Sequence, residues 1–144
     1  MTPTLRHARA DDLPHVRRLL ADNALPVADL DTAAIDWVVA VDGDRLVGAV
    51  GLETFGDAAL LRSLVVDASA RSIGIGDALV VAVESQARSS GIATLALLTQ
   101  TAESFFAGRG WQVVPRDALP AGVKASSEFR SLCPASATAM AKPL

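Results

Sequence analysis

Leu60-Leu-Arg-Ser-Leu-Val-Val-Asp-Ala-Ser-Ala-Arg-Ser-Ile-Gly-Ile-Gly-Asp-Ala-Leu-Val-Val-Ala-Val-Glu84 reads as strand, glycine-bearing turn and helix, and the rest of the chain arranges itself around it. Leu60 to Val66 is an apolar run interrupted by Arg62 and Ser63, as in a mostly buried strand. Asp67 to Arg71 is small and polar, where a chain turns. Beyond Gly74 and Gly76 the apolar residues Leu79, Val80, Val83 and Ala87 recur at helical spacing. A helix start offers unsatisfied N–H groups and the positive end of a dipole. Glycines just before it let an anion approach the backbone. Arg71 adds a fixed cation with a planar fork of donors. The turn therefore reads as a cradle for a diphosphate, although a plain strand–turn–helix connection would also carry glycine. It is not a P-loop, since no Gly-Lys-Ser/Thr follows, nor a dinucleotide fingerprint, since the third glycine is missing.

Upstream, the pattern predicts a meander leading into this strand. Trp37–Val41 and Arg45–Glu53 read as strands joined by the turn Asp42-Gly43-Asp44, and Phe55-Gly56-Asp57 turns into the central strand. Gly48 and Gly51 mark bulges or close contacts within the second of these strands. Before them come a short strand, Thr4–Ala8, and a helix to about Asn23 with Asp11 as N-cap and Leu13, Val16, Leu19 and Leu20 on one face. His7 and His15 read as surface or edge residues, and Asn23–Asp36 as irregular and partly apolar. Downstream, Ser89-Ser90-Gly91 stops the helix. Thr94–Thr99 should return as a strand parallel to Leu60–Val66, since a helical crossover joins them. A short helix from Thr101 or Ala102, a strand Trp111–Val114, a helical turn in Pro120–Ser127 and a last strand Ala137–Ala141 complete the pass.

Composition narrows the class. The 144 residues are 51% hydrophobic and read as one globular domain, 1–144. The net charge of −3 is spread without basic clusters, which argues against nucleic acid as the partner. No apolar run approaches the ~20 residues of a membrane span, and the start lacks a signal-peptide core. The lone Cys133 rules out an internal disulfide and a Cys-rich metal site, so no metal is expected and a cytoplasmic setting is.

Val66-x-x-x-x-Arg71-x-x-Gly74-x-Gly76, followed by Ala78-Leu79, resembles the acetyl-CoA signature of the GNAT N-acetyltransferase superfamily. Ala102-x-x-Phe105-Phe106-x-x-x-Gly110-Trp111 is similar to that family's Ala-x-x-Phe-Tyr-x-x-x-Gly-Phe segment, at the family's usual separation. The resemblance covers roughly residues 4 to 142. It implies the GNAT acyl-CoA N-acyltransferase fold, an α/β architecture with a mixed central sheet of about six to seven strands flanked by about four helices. Two further segments, Leu61-Arg-Ser-Leu64 and Glu128-Phe-Arg-Ser-Leu-Cys-Pro-Ala-Ser-Ala137, resemble the arsenic-resistance N-acetyltransferase branch. Related members acetylate the amine of phosphinic or arsinic amino-acid antibiotics, which supplies a context and not a substrate.

The resemblance implies acetyl-CoA as co-substrate and a small-molecule amine as acceptor. Pantetheine contacts fall to Leu64, Val65 and Val66, with Thr99, Phe105 and Phe106 beside them. The diphosphate falls to backbone groups of Arg71, Ser72, Ile73, Gly74, Ile75, Gly76 and Asp77, and a backbone N–H near Val65 polarises the thioester oxygen. Asn23–Asp36 lies over the acceptor. The chain departs from the family where Phe106, which cannot donate a proton to the leaving thiolate, replaces the usual Tyr, and where Thr99 replaces the usual Asn. With a thiol pKa near ~8.5 a dedicated acid is dispensable; Ser104, Ser131 and Cys133 are the other donors at hand.

Glu53 is the first candidate for the base that deprotonates the acceptor ammonium, with Glu103 and Glu128 as alternatives. Arg62 and Arg130, each followed by a serine (Ser63, Ser131), are candidates to grasp an acceptor oxyanion; an internal ion pair of Arg62 with Glu53, Glu103 or Glu128 is the competing reading. Cys133 reads as an inert cysteine rather than an arsenic ligand, because one thiol makes a poor soft-metal site. Two functions stay open: an N-acetyltransferase acting on a small anionic amino compound, and a non-catalytic acetyl-CoA-binding sensor of the same fold. The apolar segment Leu132–Leu144 either completes the domain's own sheet or joins a partner's edge in a homodimer.

Overall fold

A computed structural model describes residues 3–31, 33–71, 73–132 and 136–144. Its strands are β1 (Thr4–His7), β2 (Ile35–Asp42), β3 (Arg45–Phe55), β4 (Ala58–Val66), β5 (Thr94–Thr99), β6 (Gln112–Val113) and β7 (Thr138–Pro143). They form one sheet in the order β1-β2-β3-β4-β5-β7-β6. Among the described pairings only β4 and β5 are parallel, joined by the crossover through the following helix, and the others are antiparallel. The helices are α1 (Leu13–Asp22), α2 (Ile75–Ser89), α3 (Glu103–Ala107) and α4 (Ala121–Lys124), with a π-helical turn at Glu128–Leu132. This is the mixed α/β sheet expected. Among the described residues no helix is long and apolar enough to cross a membrane.

The two faces of the sheet are covered separately. Leu79, Val80, Val83 and Ala87 of α2 pack on Val38, Ala40, Val50, Leu52 and Leu61. On the other face Val16, Leu19 and Leu20 of α1 pack on Trp37, Val39, Ala49 and Val65. Alternation along β2 accounts for both sets, since neighbouring residues of a strand point to opposite faces. Start and stop signals differ in one respect from the reading above. Asp11 does not cap α1: Ala10–Asp12 forms a 3-10 turn, and the Asp12 carboxylate accepts from the Arg9 N–H at 2.7 Å. Asp12 also takes two bonds from the Arg6 guanidinium, which hold its pKa down to about 2.

Two features of the sheet create the site. First, β4 and β5 pair only from Ala58↔Thr94 to Leu60↔Ala96. Beyond that β4 stays with β3 while β5 pairs along its whole length with β7, so the two strands part. Second, β4 carries a bulge. Its register against β3 shifts between Ala49 and Gly51, and Ser63 sits there with φ +59. The extra residue reverses the alternation: Leu61 and Leu64, three apart, both contribute to the α2 face. The C-terminal alternatives also resolve, because β7 lies between β5 and β6 of its own chain.

Candidate active site

Between the parted strands lies a cavity of about 440 Å³. One wall is Leu61–Leu64 of β4, the other Leu97–Thr99 of β5 with Gln100 to Ala102 beyond it. Asn23, Ala24, Leu25 and Pro26, Phe106, Glu128 and Ala137 line the rest. The irregular segment after α1 thus forms part of the wall, and Ala24 turns there with φ +58.

At the open end of the gap, β4 leads through Asp67–Arg71 into α2. Gly74 is the N-cap of α2 at φ +85, a left-handed conformation that glycine alone adopts without cost. The Arg71 guanidinium donates to the Val66 carbonyl at 3.1 Å and to Asn23 Oδ1 at 2.6 Å, tying the end of β4 to the end of α1. Gly76 differs from Gly74. Its φ is not left-handed, and a Cβ there would meet Phe105 Cζ and Val66 Cγ2 at 3.8 Å, which is ordinary contact. Neither backbone strain nor the protein's own packing requires glycine at 76.

The residues set aside for the co-substrate fall around this gap in different ways. Leu64, Thr99 and Phe106 line the cavity. Val65 points to the α1 face, so only its backbone is available to the gap. Thr99 Oγ1 accepts from the Ala102 N–H at 3.0 Å and so caps the approach to α3. Phe106 is buried edge-on to Phe105 and Trp111, with ring centroids at 5.0 and 5.5 Å. Ile73 is exposed, Ile75 buried. Asp77 accepts from Arg109 Nε at 2.6 Å. Ser72 and Cys133 lie outside the described residues, as does the side chain of Ser131.

On the acceptor side Arg62 is not a free clamp. Its side chain is fully enclosed and forms two bonds to Asp29, Nη1–Oδ2 at 2.6 Å and Nη2–Oδ1 at 2.8 Å. Nη1 also reaches Glu53 Oε1 at 3.3 Å, Nε lies 3.3 Å from Ser63 Oγ, and Glu128 Oε1 stands 4.0 Å away. Gly51, paired with Trp37 and adjoining this cluster, makes room for neighbouring apolar side chains, since a Cβ there would come within 2.8 Å of Ile35 Cγ2 and 3.2 Å of Trp37 Cζ3. Burial opposes the Arg62 charge, but the bond to Asp29 and the charges of Glu128, Asp29 and Glu53 outweigh it and raise its pKa. Arg62, Ser63 and Glu128 line the cavity; Glu53 and Arg130 do not. Glu53 sits inside β3 rather than capping a turn, and Arg130 is exposed on the π-helical turn. Asp29 was not among the expected site residues, and nothing local in Val27-Ala28-Asp29-Leu30 separates it from Asp31.

A family profile for the acetyltransferase (GNAT) domain matches residues 33–113, more than half of the chain. The chain belongs to the GNAT acetyltransferase family. No curated protein sequence matched it. Among solved structures it is similar to N-acetylglutamate synthase from Neisseria gonorrhoeae in complex with coenzyme A and N-acetyl-glutamate, with TM-score 0.84 and 23% identity. That match covers 100% of this chain and 35% of the other, so the chain spans about a third of its relative's length. It is also similar to the protein Rv2747 from Mycobacterium tuberculosis in complex with CoA, with TM-score 0.82, 25% identity and 99% of each chain covered. A third match, the ribosomal-protein-S18-alanine N-acetyltransferase from Escherichia coli, has TM-score 0.74 and 18% identity over 99% of this chain and 94% of that one.

The family is described as an acetyltransferase domain, and two of these solved structures hold coenzyme A. The residues present fit that molecule. The N–H groups of the first turn of α2 have no partner within the helix and face an anion favourably. The Cβ that Gly76 lacks leaves backbone accessible where a diphosphate would rest. Parted strands leave main-chain groups of β4 without a β5 partner, as an extended pantetheine arm requires.

Proposed function

We propose that the protein transfers the acetyl group of acetyl-CoA to the primary amine of a small amino compound, by direct attack in a ternary complex. The observation that carries this reading is the cavity between β4 and β5 opening beside the glycine-framed start of α2. When bound, acetyl-CoA supplies an acyl group already activated as a thioester. The protein's part is to hold amine and acyl carbon together, remove a proton from the ammonium and stabilise the developing oxyanion. The main chain near Val65, just past the bulge, is the proposed oxyanion donor. Glu128, in the cavity wall, is better placed as base than Glu53, which stands behind the Arg62 guanidinium. Leu64, Val66 and the first turn of α2 hold the co-substrate. Phe106 presents an apolar ring where a proton donor is usual in the family, and the thiolate leaves unassisted.

The finer proposal is an anionic acceptor of the phosphinic or arsinic amino-acid type, in an arsenic-resistance setting. Its support is the resemblance of Leu61–Leu64 and Glu128–Ala137. Arg62 contributes through the cluster it holds together, since Asp29 occupies both its Nη atoms. We place the protein in the cytoplasm, as a single domain without a nucleic-acid partner, which its unclustered charge supports. A homodimer that pairs sheet edges would use the outer strands β1 or β6, because β7 is internal to the sheet.

Thiol release from acetyl-CoA tests the proposal against a panel of phosphinothricin, its arsenic analogue, ordinary amino acids, polyamines and aminoglycosides. Release confined to anionic amino acids supports the whole reading. Release only with polyamines or aminoglycosides keeps the transferase and overturns the acceptor class. Acetyl-CoA binding without release from any amine favours a sensor of the same fold, the reading that Phe106 keeps in play.

A further inference from the structure

Asp77 presents a puzzle for a phosphate site. It is the third residue of α2, in the first turn, where a carboxylate suits the helix dipole but repels a bound phosphate. Its side chain is half exposed and accepts from Arg109 Nε at 2.6 Å. Arg109 is fixed from two further directions: Nη1 donates to the Phe105 carbonyl at 2.8 Å, and the guanidinium lies 3.7 Å over the Phe105 ring. The Phe105 ring in turn borders, together with Val66, the space that a Cβ on Gly76 would fill. An arginine with its fork immobilised therefore stands one aromatic ring away from the cradle, with about a third of its side chain exposed. Arg71, the cation expected from the sequence, is engaged by Val66 and Asn23 on the α1 side of the same loop.

We propose that Arg109, positioned by Asp77 and Phe105, is a phosphate-recognising residue of the acyl-CoA site and masks the Asp77 carboxylate from the bound phosphates. This rests on the acetyl-CoA reading above. An exposed ion pair is worth little to stability, whereas a charge-assisted arginine–phosphate bond contributes substantially to binding. The pair thus serves the ligand more than the fold.

The test is calorimetric binding of CoA, 3′-dephospho-CoA and pantetheine to wild type, Arg109→Gln, Asp77→Asn and the double variant, with thermal unfolding alongside. Arg109→Gln should weaken CoA about tenfold, leave pantetheine unchanged and barely move the melting temperature. The double variant should bind CoA more tightly than Arg109→Gln alone, because the uncompensated carboxylate is gone. A loss shared by CoA and 3′-dephospho-CoA assigns Arg109 to the diphosphate, and a loss seen with CoA alone assigns it to the 3′-phosphate. Wild type that binds CoA no better than Arg109→Gln overturns the assignment alone, as does an equal loss for pantetheine. Wild type that binds no CoA overturns the reading of the cleft and the assignment with it.

Discussion

At the start of α2 the proposed diphosphate cradle consists of main-chain N–H groups and two glycines, all from the stretch Val66–Asp77. Around Arg62 they are side chains from four separate places: Asp29 after α1, Glu53 in β3, Arg62 in β4 and Glu128 in the π-helical turn. The first region is exposed and built of backbone. The second is buried and built of charge. The difference teaches that one site can contain a part whose side chains hardly matter to stability and a part whose side chains hold the walls together. Substitutions should separate the two cleanly.

The largest effect is expected at Arg62. One cation stands among three carboxylates, so Arg62→Ala leaves buried negative charge uncompensated and should cost about 3–5 kcal/mol of stability. Arg71→Ala, at an exposed arginine, should cost less than about 0.5 kcal/mol. Denaturant unfolding of the pair measures the contrast; equal losses would erase it. Next comes Glu128→Gln. Loss of a general base should lower turnover by about 10²-fold or more, most at low pH where the acceptor is protonated, whereas Glu53→Gln should leave the shape of the pH–rate profile unchanged. A profile altered only by Glu53→Gln would return the role of base to Glu53.

Within the cradle the two glycines should part company. Gly76→Ala should leave stability unchanged or raise it by up to about 1 kcal/mol, as Gly→Ala does inside helices, yet weaken CoA about tenfold. Gly74→Ala, at φ +85, should instead cost about 1–2 kcal/mol of stability. Melting curves with and without CoA distinguish the two patterns. The smallest effect lies far from both regions. Asp12 has a folded pKa of about 2, chiefly through its bond to Arg6, against ~3.9 unfolded. A depressed carboxylate pKa gives stability that is present above about pH 4 and lost as pH falls toward 2. Asp12→Asn should flatten that limb of the stability–pH curve by lowering stability above about pH 4, and leave the acid end below about pH 2 nearly unchanged.

The same contrast explains what could be read before the fold was known. The cradle depends on glycines and helix periodicity within one stretch, so Gly74, Gly76 and the course of β4, α2 and β5 were legible. Glu53 and Arg62 were visible as charges in apolar strands, and their pairing was one of the readings left open. Asp29 was not legible, because its role arises from contact with a residue 33 positions away and its neighbours look like any irregular loop. The cap expected at Asp11 fails for a similar reason: the chain enters α1 through a 3-10 turn held by Asp12, which accepts from Arg9 N–H and from Arg6 on a different element. Arg130 carried a local pattern as suggestive as that of Arg62, but the π-helical turn leaves it exposed.

The bulge at Ser63 gives β4 a kind of reading frame. Before it, Leu61 feeds the α2 core and Arg62 the buried cluster; after it, Leu64 and Val66 feed the α2 core and Val65 the α1 core. Losing a single residue there would invert the parity of everything downstream, driving Val65 into the wrong core and Leu64 toward the charges. In a library of variants, then, point changes along Leu64–Val66 should survive far more often than one-codon deletions, and the gene at this place should drift in letters but not in length.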